Sequence, residues 1–277
     1  MCWLWLLLFC YVAVLSWTYF VMYYESANGS HLEKLRGRGS LVTLFLKGFT
    51  WNIYSHLMAV ACWFTNWSSS YWGGSRQKGE QLPVIFVHGL YHNRTAWFMY
   101  LRWFRQWGWS YLEAVNLPGK FRSINVHAQT LAQTIDRVLE AADCDQVDLV
   151  GHSMGGIVIR AYLRDHFSES KVRNVVTLGS PHNGSKLAVF GVGEAARELL
   201  PHSELLQSLN GEGVMAPPAG SLYSIYTVLD NMVLPNESAQ VVGERVESIE
   251  TKEVDHVGLL YCKQTAQLVR KCLERGE

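Results

Sequence analysis

The chain has 277 residues, 49% of them hydrophobic and 13% aromatic, and its 24 basic side chains balance its 24 acidic ones. This length suits one α/β domain with an additional region, and a net charge of zero provides no basic surface for nucleic acid. The six cysteines are scattered and form no C-x-x-C pair. We therefore expect ordinary buried thiols and no disulfide framework.

The chain begins with an apolar stretch, because residues 1–24 contain no charged side chain. A helix of about 20 apolar residues is long enough to cross a bilayer. Tryptophan and tyrosine lie towards both ends of the stretch, where their amphipathic rings favour the membrane interface. A cleaved signal peptide is the alternative, but a basic start and a clear cleavage site are lacking. The pattern predicts an uncleaved transmembrane anchor over about residues 1–24.

A second apolar stretch, about residues 41–64, follows a polar link that carries three basic side chains. Its polar positions do not share one helical face, so a simple amphipathic surface helix is not indicated. Three interpretations remain open: a second span, one arm of a re-entrant hairpin, or a helix that lies on the bilayer against the rest of the protein. Basic side chains favour the cytoplasmic side of a membrane, so we expect the link to be cytoplasmic. With one span the remainder of the chain then stays in the cytoplasm, and with two it lies outside. The interrupting positions are Lys47, Gly48, Asn52 and His56.

Residues 67–75 are rich in tryptophan, serine and glycine, which is typical of an interfacial exit and a linker, and the pattern changes from residue 82 onwards. We assign residues 1–72 to an N-terminal membrane-associated region and residues 82–277 to a separate domain. Because every strand predicted below lies beyond residue 82, we expect this domain to fold without residues 1–72.

From residue 82 onwards, short apolar runs alternate with helical patterns. Such alternation is typical of an α/β fold with three layers and a mainly parallel central sheet. The predicted strands are 83–87, 112–116, 146–150, 172–178, 221–228 and 239–246, and the predicted helices are 95–107, 128–142, 157–165 and 265–273.

The motif that organises this domain is Gly151-His152-Ser153-Met154-Gly155-Gly156, which lies between a predicted strand and a predicted helix. A strand, a sharp turn built on small residues and a helix form a nucleophile elbow. The turn strains the serine backbone, and the flanking Gly151 and Gly155 let strand and helix approach each other. The pattern predicts Ser153 as a nucleophile at the edge of the sheet.

A serine hydroxyl needs a general base that is itself oriented by a carboxylate. In elbow proteins of this kind the order along the chain is serine, then acid, then histidine. Asp230 follows a predicted strand and His256 precedes the last predicted helix, so both fit. Alone, each has an ordinary interpretation, Asp230 as a turn residue and His256 as a surface or capping residue. Asp255 is a poor partner for His256, because neighbours in sequence rarely face one another.

An oxyanion hole requires two backbone N–H groups beside the reacting carbonyl oxygen. We expect one from Met154, after the nucleophile, and one from Leu90, after the strand-end turn His88-Gly89. His88 and His92 lie four residues apart and are compatible with a metal pair. A third ligand is not evident, so we predict no metal and no cofactor. We expect His152 to pack inside the elbow.

Five motifs in order along the chain resemble those of the bacterial triacylglycerol lipases of the α/β-hydrolase superfamily, and they are most similar to the small, lid-poor lipases that Bacillus secretes. They are Val87-His88-Gly89, the Gly151–Gly156 motif, Val175-Val176-Thr177-Leu178-Gly179-Ser180-Pro181, the stretch from Tyr223-Ser224-Ile225-Tyr226 to Asp230-Asn231-Met232-Val233, and His256-Val257-Gly258-Leu259-Leu260-Tyr261. The resemblance runs from about residue 82 to the end. It implies an α/β-hydrolase catalytic domain with Ser153, Asp230 and His256 as the triad and Leu90 and Met154 as oxyanion donors.

The chain differs from those lipases in two respects. They are secreted and soluble, whereas this chain begins with a predicted membrane segment. It also carries an insert at about 185–220, whose apolar side chains predict a small cap. Together, the anchor and the bacterial resemblance lead us to expect a membrane location, in the bacterial inner membrane, with the side of the catalytic domain open.

These patterns predict a serine carboxylester hydrolase, of the lipase or esterase class, that cleaves lipid or other acyl esters through an acyl-enzyme on Ser153. A phospholipase, a lysophospholipase or an acyltransferase with the same triad is the alternative. A catalytically silent, membrane-tethered binding module is disfavoured, because such proteins typically lose part of the triad. The acyl length, the head group and the oligomeric state stay open.

Overall fold

A computed structural model describes residues 2–27, 29, 31–63, 81–119, 121–166, 170–211, 216–217 and 220–275. Its central feature in this part of the chain is a six-stranded sheet in the order β2-β1-β3-β4-β5-β6. All neighbouring strands are parallel, so their carboxyl ends lie at one edge. The strands are β1 (Val84–Val87), β2 (Leu112–Val115), β3 (Val147–His152), β4 (Val172–Leu178), β5 (Leu222–Tyr226) and β6 (Val246–Glu250).

Helices cover both faces of the sheet. They are α1 (Cys2–Ala27), α2 (His31–Arg36), α3 (Leu41–Trp63), α4 (Phe98–Gln106), α5 (Ile124–Ala142), α6 (Met154–Asp165), α7 (Glu194–Glu198), α8 (Glu204–Gly211) and α9 (Lys263–Glu274), with 3₁₀ turns at Arg94–Trp97, Lys186–Phe190, Asn236–Ala239 and Val257–Leu260.

Alternation along β1 shows why three layers form. Its four side chains are fully buried, and successive ones point to opposite faces of a strand. Ile85 joins a core cluster with α5 and α6, whereas Phe86 joins a second cluster with α4 and α9. The predicted α/β fold with a parallel sheet is confirmed.

The prediction for the last strand was wrong. Instead of a strand over 239–246, the chain forms a 3₁₀ turn at Asn236–Ala239 and then β6 at Val246–Glu250. Val242 is 95% exposed, and Arg245 adopts a positive φ of 55°, so the run enters the sheet only at Val246. The strand that forms lies at the edge and is half exposed, which explains its polar sequence.

The N-terminal run forms α1, but the predicted transmembrane anchor is not supported. Within the part of the chain that the structure describes, no helix combines the length and hydropathy that a membrane crossing needs.

Both long N-terminal helices pack on the α/β domain. Tyr19 and Met22 of α1 are buried with Leu187 and Leu234, and Glu25 pairs with Lys186 at 2.6 Å. On α3, Cys62 is buried in the cluster around α4 and α9, and partly buried hydrophobic residues of the same helix pack beside it. These last residues are Trp51, Met58 and Ala59.

The division at residue 72 stays a prediction, but this packing argues against independent folding of residues 82–277. The N-terminal helices contribute Tyr19, Met22, Leu35, Leu44 and Cys62 to buried clusters. At about 1.5–3 kcal/mol for each large buried side chain, their removal is comparable with the whole stability of a domain, about 5–15 kcal/mol.

We therefore expect deletion of residues 1–72 to give an unstable or insoluble protein. Deletion of residues 1–13 alone is the matched control, because it leaves these contacts intact. Circular dichroism melting of both variants is the measurement. A cooperative transition of the longer deletion at the full-length temperature would contradict this expectation.

The insert at about 185–220 forms the 3₁₀ turn Lys186–Phe190 and the short helices α7 and α8. Leu199 and Leu206 point into the main core, so part of the predicted cap is core. Val189, Phe190 and Val192 remain exposed, each above 60%. The Phe190 ring contacts Trp17 of α1 edge-on, with ring centroids 4.9 Å apart.

Candidate active site

The turn between β3 and α6 has the geometry of a nucleophile elbow. Ser153 adopts φ 54° and ψ −123°, a strained conformation for a side chain with a Cβ atom. A Cβ atom on Gly155 would lie 2.2 Å from the Val87 carbonyl oxygen, and one on Gly151 would lie 2.6 Å from the Gly156 nitrogen. The two glycines therefore permit the close approach that the turn needs.

Asp230 and His256 lie in contact at the same edge of the sheet. His256 Nδ1 is 2.8 Å from Asp230 Oδ2, and both side chains are buried. The other carboxylate oxygen, Oδ1, accepts hydrogen bonds from the backbone N–H groups of Met232 and Val233 at 2.9 and 2.8 Å. Asp230 is thus held as an acceptor for an N–H on His256 Nδ1, which leaves Nε2 free to act as a base.

The residue before the nucleophile joins the elbow to this pair. The His152 ring lies 4.8 Å from the His256 ring, centroid to centroid, and His152 Nε2 donates to the His256 carbonyl oxygen at 3.1 Å. A Cβ atom on Gly179, at the end of β4, would lie 3.0 Å from Asp230 Oδ2 and 3.2 Å from His256 Nδ1. The fold thus brings Asp230 and His256 into contact around the ends of β3, β4 and β5, beside His152, the residue that precedes Ser153.

Burial and charge act on His256 in opposite directions. Burial lowers its pKa, whereas the Asp230 charge, the Asp230 hydrogen bond and the Asp255 charge raise it, so that the net pKa lies above the usual 6.5. The imidazolium form is therefore stabilised at this site.

This shift predicts how activity depends on pH. A general base must be neutral, so activity falls as the pH drops through the His256 pKa. We expect the acid limb of the kcat/KM profile to have its midpoint above 6.5, because the pKa is raised. Ester hydrolysis measured between pH 5 and 9 tests this, and a midpoint at or below 6.5 would contradict it.

The predicted oxyanion donors face one cavity. Leu90 and Met154 both line a cavity of about 220 Å³, together with Gly89, Asn116 and His127 among others. Gly89, one of the lining residues, lies beside Ser153, because a Cβ atom on Gly89 would lie 3.0 Å from Ser153 Cβ.

His88 supports the turn that presents Leu90. Its Nδ1 donates to the Gly89 carbonyl oxygen at 2.9 Å, and its Nε2 accepts from the Leu117 N–H at 3.1 Å. Burial lowers its pKa to about 4, so His88 stays neutral at pH 7. The ring fixes the end of β1 to the loop that follows β2.

His92, considered above as half of a metal pair, packs against His152 with ring centroids 5.9 Å apart. Burial, followed by the neighbouring histidines, lowers its pKa to about 3, which indicates a neutral ring. Within the described residues, no group of three or more histidine, cysteine, aspartate or glutamate side chains is arranged to hold a metal ion.

The contacts around Asp255 were not predicted from the sequence. This carboxylate is fully buried and accepts hydrogen bonds from Ser55 Oγ, at 3.0 Å, and from the Gly258 N–H, at 3.0 Å. Burial raises its pKa to about 7. A polar residue inside the apolar stretch 41–64 was the available signal, because Ser55 reaches Asp255 from α3.

Comparison with known proteins finds similarity to lipases and to a thioesterase family. The family model of palmitoyl protein thioesterases matches residues 83–209. Triacylglycerol lipases of Pseudarthrobacter phenanthrenivorans and Burkholderia plantarii are each 32% identical over 116 residues, 39% of this chain. The chain spans about a third of the length of these relatives, 35% and 32% respectively.

Solved structures share the fold. A lipase of Bacillus licheniformis in its mature form superposes with a TM-score of 0.61 at 19% identity, over 72% of this chain and 94% of that chain. Lipase B of Aspergillus fumigatus gives a TM-score of 0.63 at 17% identity, over 72% of this chain and 53% of that chain. The solved structures therefore share the α/β fold of this chain, and the sequence similarity to the lipases and to the thioesterase family model covers less than half of the chain.

Proposed function

We propose that the protein is a serine carboxylester hydrolase that cleaves lipid or other acyl esters through an acyl-enzyme on Ser153. The observation that carries the proposal is the buried contact of 2.8 Å between His256 Nδ1 and Asp230 Oδ2, next to a serine with a strained φ of 54°. Similarity to lipases supports an ester as the substrate.

In this mechanism His256 Nε2 takes the Ser153 hydroxyl proton while Ser153 Oγ attacks the ester carbonyl carbon. The carbonyl oxygen becomes negatively charged and accepts hydrogen bonds from the Leu90 and Met154 N–H groups. His256 then donates its proton to the leaving alcohol, and the acyl group stays on Ser153. A water molecule then attacks the acyl carbonyl carbon while His256 takes its proton. The bond between the acyl carbon and Ser153 Oγ breaks, His256 returns the proton to Ser153 Oγ, and the acid leaves.

A thioester is the second candidate substrate, because the matching family model describes palmitoyl protein thioesterases. The same steps apply, with a thiol as the leaving group. Thioester carbonyls are attacked in the same way, so Ser153 serves both reactions.

The test is a panel of p-nitrophenyl esters and acyl thioesters, with chains from butyryl to palmitoyl, assayed with the full-length protein. Hydrolysis that Ser153→Ala abolishes supports the proposal. Comparison of kcat/KM across the panel assigns the leaving group and the acyl length. A folded protein that cleaves no member of the panel would contradict the proposal.

We also propose that the protein associates with a membrane. The support is the uncharged stretch 1–24 and the exposed apolar residues of α1 and α3, such as Phe20 at 66% and Leu57 at 62%. Exposed apolar area of this kind favours contact with lipid. Membrane fractionation followed by alkaline carbonate extraction is the test. Recovery of the full-length protein only in the soluble fraction would contradict the association.

A further inference from the structure

The segment that carries His256 is held from both sides by hydrogen bonds to the N-terminal helices. On one side, the His256 N–H donates to Asn231 Oδ1 at 3.3 Å, and Asn231 Nδ2 donates to Thr18 Oγ1 of α1 at 3.0 Å. Asn231 directly follows Asp230 in the chain. Thr18 is therefore connected to the His256 backbone through the Asn231 side chain, and Asn231 is the chain neighbour of Asp230.

On the other side, Asp255 makes the connection. Its Oδ1 accepts from the Gly258 N–H at 3.0 Å, and its Oδ2 accepts from the Val257 N–H at 3.3 Å. These bonds cap the 3₁₀ turn that begins directly after His256. Ser55 Oγ of α3 donates to Asp255 Oδ2 at 3.0 Å, so α3 fixes the position of this cap.

Burial makes both connections strong constraints. Ser55 and Asp255 are fully buried, Asn231 is 1% exposed and Thr18 is 8% exposed. A hydrogen bond removed from such a site leaves a buried partner unsatisfied, which is unfavourable. A catalytic base must stay within a fraction of an ångström of its working position.

We propose that Thr18 and Ser55 are positioning residues for His256, so that the two N-terminal helices are an integral part of the catalytic machinery. The proposal rests on the proposed function, because it assigns these residues a role through the general base. Ser55 holds Asp255, which caps the turn after His256. Thr18 holds Asn231, which accepts a hydrogen bond from the His256 backbone N–H.

The two residues have different electrostatic consequences. The Ser55 hydrogen bond lowers the Asp255 pKa, and the Asp255 charge raises the His256 pKa. Without the Ser55 hydroxyl, Asp255 stays protonated to a higher pH, so the His256 pKa falls. Thr18 bonds to a neutral amide, and its loss changes no charge. The carboxylates that act on His256 are Asp230 and Asp255. The other titratable groups that face these three residues include His152, His92, His56 and Tyr19.

The experiment measures the rate at which a fluorophosphonate labels Ser153 in the full-length protein, between pH 5 and 9. This reagent reports the activated serine without a choice of ester. We expect Ser55→Ala and Thr18→Val each to slow labelling about tenfold at pH 8, as loss of one buried hydrogen bond implies. Only Ser55→Ala should shift the acid limb of the profile of labelling rate against pH, and the shift should be to lower pH. Ser55→Thr and Thr18→Ser, which keep the hydroxyl, should restore most of the rate.

Thr50→Ala is the matched control on α3. Its hydroxyl is exposed and bonds within the helix, to the Leu46 carbonyl oxygen at 2.7 Å, so this variant should label at the wild-type rate. If Ser55→Ala does not fold, as judged by circular dichroism, the near-isosteric Thr18→Val carries the test. If the wild type is labelled, and the folded Ser55→Ala and Thr18→Val variants are labelled at the same rate with the same pH midpoint, this inference is overturned while the proposed function stands. Failure to label the wild type would instead contradict the proposed function.

Discussion

Ser153→Ala is expected to lose about 10⁶-fold in turnover, going by the loss of the nucleophile in a serine protease. No other side chain can form the acyl-enzyme in this mechanism, so only binding and the oxyanion donors remain to assist water. The substitution removes one oxygen from a partly exposed turn, so the fold should persist. The assay is hydrolysis of p-nitrophenyl butyrate, with circular dichroism to verify folding.

Ser180→Ala is a useful control for this experiment. Ser180 is also a serine near the end of a central strand, but it is fully buried and lies outside the elbow. We expect it to retain catalysis within about tenfold, since it has no role in the proposed steps. If Ser180→Ala were the inactive variant and Ser153→Ala retained turnover, Ser153 would not be the nucleophile.

Asp230→Asn is expected to lose about 10⁴-fold in turnover, by analogy with the same change in serine proteases. An amide at this position no longer holds the proton on His256 Nδ1, so the tautomer needed for the base is lost. It also removes the neighbouring charge that raises the His256 pKa. Any remaining activity should therefore have its acid limb at lower pH than that of the wild type.

Asp255→Asn is the matched comparison, because Asp255 directly precedes His256 in the chain and is as fully buried as Asp230. Its bonds go to Ser55 Oγ and to backbone N–H groups, so it should affect the position of His256 without setting its tautomer. We expect a far smaller loss than for Asp230→Asn on the same ester at the same pH. The reverse ranking would show that the acid has been assigned to the wrong residue.

The central sheet and the elbow were predictable because their signals are local. A buried parallel strand is apolar, as β1 is throughout, and Gly151 and Gly155 are required by contacts with nearby backbone. The position of Asp230 and His256 followed from their order along the chain. The edge strand β6 was missed because half of its surface faces solvent, so its polar residues resemble a loop.

The role of the N-terminal helices was not predictable from local pattern. Ser55 and Asp255 are 200 residues apart in sequence, and Thr18 and Asn231 are 213 apart. In a hydropathy pattern, Asn52 and His56 only interrupt an apolar stretch. The role of these polar residues depends on the surface that α3 packs against, because the same sequence is compatible with a membrane helix and with a helix that covers a buried carboxylate.

The most direct test of the account is mass spectrometric identification of the residue that a fluorophosphonate modifies in the full-length protein. The reagent bonds covalently to an activated serine, so we predict one modified peptide, with the label on Ser153. As the pH is lowered, the labelling rate should fall in proportion to the fraction of His256 that is neutral. A correctly folded protein that stays unmodified, or that carries the label on a different serine, would contradict the assignment of Ser153 as the nucleophile.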